Sequence, residues 1–98
     1  MFVHIFSFVW KANVSPDEKS RAVDSIKSFE GAIPGLTSVL VGNNVSKNAP
    51  KYDTTGVMIF ENMSDFRGYM DHPAHLALLE WLMPMIEALE LDFEATAD

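Results

Sequence analysis

The chain has 98 residues, 48% of them hydrophobic, with seven basic and fourteen acidic side chains for a net charge of −7, and no cysteine. That length holds one domain. The scattered lysines and arginines cannot neutralise successive phosphates or hold an anionic bilayer, which argues against nucleic-acid and membrane partners. Without thiols there are no disulfides, cysteine nucleophiles, iron–sulfur clusters or cysteine zinc sites.

Residues 1–10 have neither a basic start nor a small-residue cleavage site, so they do not read as a secretory leader, and a cytoplasmic location is expected. They read instead as a strand over 2–10. Period-two alternation puts Phe2, His4, Phe6, Phe8 and Trp10 on one face and Val3, Ile5, Ser7 and Val9 on the other. Both faces are largely apolar, as in a central strand covered on both sides. Ser15-Pro16-Asp17-Glu18 is a helix start, with Ser15 as cap, Pro16 at the first helical position and Glu18 closing a capping box. Ala22, Ile26, Phe29 and Ile33 continue it as one apolar stripe, which Gly31 and Pro34-Gly35 terminate.

A second strand is expected over Leu36–Gly42. A polar loop over Asn43–Lys51 is a candidate lid or pocket rim, and Tyr52–Glu61 is a third strand. Ser64 is expected to cap a short helix that turns Phe66, Tyr69 and Met70 inward. Pro73 interrupts it, because the residue before proline resists the α conformation. It also opens a longer helix carrying His75, Leu79, Leu82 and Ile86 on one stripe, with a kink at Pro84. Leu89–Glu94 alternates as a last strand with Leu89, Leu91 and Phe93 on one face, and the tail 95–98 is expected to fray.

The order β-α-β-β-α-β is the split pattern of an α+β, ferredoxin-like fold with a four-stranded antiparallel sheet and helices on one face. The other sheet face must then meet something apolar. Homodimerisation through that face accounts for the high apolar content; a densely filled core is the alternative.

All three histidines and one of the two tyrosines gather in one constellation: His4, Tyr69, His72 and His75. If the aromatic face of the first strand lies under the helices, His4 and His75 converge. A partly buried imidazole beside a phenol can act as a general base near neutral pH, with Tyr69 orienting it or stabilising a developing enolate oxygen. The competing reading is that His4, Tyr69 and His75 are hydrogen-bonded core residues. His72 reads as a cap for the helix that Pro73 opens. A metal site at Asp71, His72 and His75 would need supporting partners that the sequence does not supply, so no metal is expected. Nothing in the residues asks for a nucleotide, flavin or haem, and no cofactor is expected.

The segments Val3-His4-Ile5, Ile33-Pro34-Gly35, Phe60-Glu61-Asn62, Tyr69-Met70-Asp71-His72-Pro73-Ala74-His75, Leu82-Met83-Pro84 and Asp92-Phe93 together resemble the stress-responsive A/B barrel (Dabb) family over nearly the whole chain. The resemblance implies a protomer whose sheet packs into a dimeric α/β barrel. One plant member is a polyketide cyclase, and the family pattern carries its catalytic tyrosine onto Tyr69, its catalytic histidine onto His75 and its strand histidine onto His4. The histidine that the family often has early in the third strand falls on Thr54 here. The expectation is a homodimer of residues 1–98 with a pocket for a small hydrophobic or aromatic, oxygen-bearing ligand. Its chemistry would be cofactor-free proton transfer of cyclase, lyase or isomerase type. The alternative is a non-enzymatic, stress-associated structural or binding protein.

Overall fold

A computed structural model describes residues 1–96 of the chain. Its elements run β1 (Phe2–Trp10), α1 (Pro16–Lys27), β2 (Leu36–Asn43), β3 (Thr54–Phe60), α2 (Met63–Asp71), α3 (Pro73–Leu82) and β4 (Ile86–Glu94). The sheet order is β2-β3-β1-β4 with every pairing antiparallel, which is the ferredoxin-like α+β fold. β1 is central, and Phe2, His4, Phe6 and Phe8 lie buried beneath the helices as the alternation requires.

Local chemistry accounts for the element ends. Glu18 N–H donates to Ser15 Oγ while Ser15 N–H donates to Glu18 Oε1, so the capping box forms as read. α1 stops at Lys27, and Phe29 and Ile33 reach the core from the turns that follow, where Gly31 and Gly35 take left-handed φ of 84° and 78°. The cap of α2 is Asn62, not Ser64: Asn62 Oδ1 accepts from Asp65 N–H, and Ser64 lies inside the helix. Of the three inward residues expected on α2, Tyr69 is buried, Phe66 is half-buried and Met70 is exposed.

The expected kink at Pro84 is a full stop. α3 ends at Leu82, Met83–Met85 form a 3₁₀ turn, and Ile86 belongs to β4. Proline removes the N–H that would continue the helix, and Lys11 N–H instead binds Met85 O, which starts β4 beside the end of β1. Ala95 N–H donates to Met1 O, so the expected fraying does not begin at Ala95; residues 97–98 of that tail lie outside the described residues.

The face of the sheet away from the helices is uncovered. Leu89, Leu91 and Phe93 on β4 and Leu40 on β2 are 41%, 53%, 46% and 62% exposed, around half-buried Ile5, Val57 and Ile59. Among the described residues, no helix is long and apolar enough to cross a membrane.

Candidate functional site

The break between α2 and α3 builds the site. His72 precedes Pro73 and takes an extended conformation (φ −68°, ψ 137°), so one helix stops and the next starts at an angle. Each new helix end leaves backbone groups unpaired, and two histidines satisfy them. His72 Nδ1 accepts from Ala74 N–H at 3.1 Å, the capping role expected of it. His75 Nδ1 lies 3.1 Å from Met70 O. A carbonyl only accepts, so Nδ1 carries the hydrogen, and in the neutral ring Nε2 is left with a free lone pair.

Tyr69, in the last turn of α2, and His75, in the first turn of α3, are thereby brought face to face. Their ring centroids are 4.2 Å apart with 39° between planes. His4, on β1 below them, is 6.3 Å from the Tyr69 ring. All three side chains are buried, and all three line one cavity of about 170 Å³ between the helices and the sheet. Phe6, Phe8, Leu78 and Leu82 supply its apolar wall. Met70, Met83 and Glu90 also line it and are exposed, which marks the mouth beside β4.

The electrostatics separate an acid from a base. Burial pushes the His75 imidazole below its ordinary value of 6.5, and neighbouring His4 acts in the same direction. The bond to Met70 O and the Glu90 carboxylate oppose this without reversing it. His75 is therefore neutral at pH 7. Burial, helped by the Glu90 charge, pushes the Tyr69 phenol well above its usual 10.0, so Tyr69 keeps its proton as a hydrogen-bond donor.

Two residues that sequence reasoning missed complete the site. In the β1–β4 register His4 faces Asp92 and Phe6 faces Glu90. His4 Nδ1 is 2.5 Å from Asp92 Oδ1, and His4 Nε2 is 4.0 Å from Glu90 Oε1. An ionised carboxylate can only accept, so Asp92 fixes the hydrogen on Nδ1 and the ring's orientation. The signal was present as acidic residues alternating with Leu89, Leu91 and Phe93, but only the register shows that they face His4.

Other expected features fall elsewhere. None of the residues of the Asn43–Lys51 loop lines the cavity, so the loop is not its lid or rim. Asn44 Nδ2–H groups tie the loop to Ala49 O and Tyr52 O instead. Thr54 does not line the cavity either; it is buried and its hydroxyl accepts from Trp10 Nε1–H at 3.0 Å. Among the described residues no group of three His, Asp or Glu side chains is arranged to hold a metal ion.

The sequence pattern of the stress-responsive A/B barrel domain family matches residues 2–95. No match was found among curated proteins. Among solved structures, an Arabidopsis thaliana protein superposes with a TM-score of 0.89 at 20% identity, covering 100% of this chain and 98% of that one. A dimeric ferredoxin-like protein of unknown function from Thermobifida fusca is 29% identical, with a TM-score of 0.83 over 96% of this chain and 90% of its own. A hydroxynitrile lyase from Passiflora edulis shares the fold at 15% identity, with a TM-score of 0.80 over 99% of this chain and 96% of its own.

Proposed function

The chain belongs to the stress-responsive A/B barrel domain family, and from that premise we propose that it is a homodimeric, small-molecule-binding barrel whose helix-covered cavity catalyses cofactor-free proton transfer on a small aromatic or apolar carbonyl compound. The observation that carries the reading is the facing pair of Tyr69 and His75, a retained acid beside a neutral base, in a largely apolar pocket shared with His4 and open at one mouth.

The chemistry follows from the atoms. A C–H next to a carbonyl is acidic enough to lose its proton to a well-placed imidazole. His75 Nε2 takes that proton, and negative charge moves to the carbonyl oxygen as an enolate. Tyr69 O–H donates to this oxygen in a site poor in water, where such a bond is worth most. His4, held by Asp92, contacts the polar end of the ligand. The imidazolium of His75 then returns its proton to the same or another carbon, or to the alkoxide formed when the enolate adds to a second carbonyl. Return to the same carbon gives exchange or epimerisation, return to another carbon gives isomerisation, and return to the alkoxide completes aldol ring closure; run backwards, the addition is a lyase step. A cavity of about 170 Å³ suits one aromatic ring with a short substituent, since a dry cavity of roughly 150 Å³ accepts benzene.

A second reading has its own support. His72 and His75 each satisfy a backbone group at the helix break, so both would be useful to a purely structural or binding protein. A crystal soaked with acetophenone separates the two. The proposal expects the ring among Phe6, Phe8 and Leu82, the oxygen within hydrogen-bond reach of Tyr69 Oη and the methyl carbon facing His75 Nε2. A cavity closed by its own side chains, with no ketone in it, supports the structural reading.

A further inference from the structure

We infer that Glu90 sets the charge class of the ligand: the cavity takes uncharged carbonyl compounds and rejects those carrying a carboxylate. This rests on the cavity being the binding site.

Four elements bring polar side chains to the cavity. β1 contributes His4, α2 Tyr69, α3 His75 and β4 Glu90; no lysine or arginine lines it. A buried anion needs a cationic or multiply donating partner, because stripping water from a carboxylate is costly otherwise. Tyr69 offers one neutral hydroxyl, and the bond to Met70 O already occupies the His75 Nδ1 hydrogen. His4 is the remaining candidate, and it is engaged by Asp92 at 2.5 Å with Glu90 at 4.0 Å, so two carboxylates already surround one imidazole. The C-terminus of α2 and the N-terminus of α3 meet at the same place, and their partial charges oppose each other.

Glu90 acts at the mouth. Its side chain is 54% exposed while still lining the cavity, so an entering ligand passes it. Its charge reaches inside as well, since it acts on both Tyr69 and His75. A second carboxylate brought there meets like charge in a place that water screens only in part. An uncharged ketone meets only apolar wall and the Tyr69 donor.

The test uses two probes of similar size, acetophenone and benzoate, titrated into the ¹⁵N-labelled protein at pH 7 and followed by amide chemical shifts. The wild type is expected to bind acetophenone at least about tenfold tighter than benzoate, as one like-charge contact near a protein surface implies. Glu90→Gln is expected to narrow that ratio at least about threefold, chiefly by tightening benzoate. Glu90→Lys is expected to bring benzoate level with acetophenone or past it. Equal affinities in the wild type, or a ratio that neither substitution moves, overturn the inference while leaving the cavity as a binding site. Failure of the wild type to bind acetophenone overturns the cavity reading itself and the inference with it.

Discussion

His75 closes the helix break through one ring nitrogen and leaves the other without a hydrogen-bond partner among the described residues. The helix break at His72-Pro73 leaves Met70 O without an intrahelical donor, and His75 Nδ1–H supplies one. The same bond fixes the tautomer that leaves Nε2 as a base. Because burial holds this imidazole below 6.5, the unfolded chain binds the proton more tightly than the folded one. The contribution is thus fully present above about 6.5 and is lost as pH falls from there through the lower folded value. Urea-unfolding midpoints measured across pH 4–8 should therefore fall on the acid side, and His75→Gln should flatten that part of the curve. An unchanged slope in the variant would show that His75 is not held neutral by burial. That His4, Tyr69 and His75 could meet was legible because alternation puts His4 on the aromatic face of the first strand and proline announces the helix break, while the choice of catalytic over structural roles for them came only from the family resemblance. Asp92 and Glu90 were not, because their meaning depends on which residues they oppose across β1 and β4, and sequence spacing does not set that register.

Among the elements, β4 does most to join architecture to site. Its inward face carries Ile86, Ala88, Glu90 and Asp92 toward the cavity and His4; its outward face carries Leu89, Leu91 and Phe93 onto the open side of the sheet. Leu91 lies opposite Ile5 of the central strand, in the middle of that uncovered apolar surface. Leu91→Glu should therefore shift the protein from dimer to monomer in sedimentation velocity, while the helix-covered half keeps its circular-dichroism spectrum. A dimer that survives the substitution would place the partner elsewhere. Element types and order followed from alternation and the α1 capping box. Several ends were misread, the end of α1 at Lys27 among them, and two of them have a direct physical reason. Asn62 and Ser64 both suit an N-cap, and only the backbone decides which oxygen reaches a free N–H. Pro84 can bend a helix or end one, and here the pairing of β4 with β1 ends it.

For the whole molecule, one sheet is covered on one face by helices that leave a cavity between them and the sheet, and is left open on the other by apolar side chains suited to a second copy. The high apolar content in the sequence is divided between these two places. Solved relatives of this fold are described as dimeric ferredoxin-like proteins, in keeping with that division. The central claim is that the cavity moves protons, and solvent-isotope exchange tests it whatever the natural substrate is. Acetophenone is incubated with the protein in D₂O and its methyl protons are followed by ¹H NMR. His75 would remove a proton to form the enolate, release that proton to solvent in exchange for a deuteron through the mouth of the cavity, and return the deuteron to the same carbon. The account predicts exchange faster than in buffer, reduced about 10²-fold or more in His75→Ala and also slowed in Tyr69→Phe. Exchange no faster than in buffer, with acetophenone shown to be bound, would contradict it and leave a binding protein without catalysis.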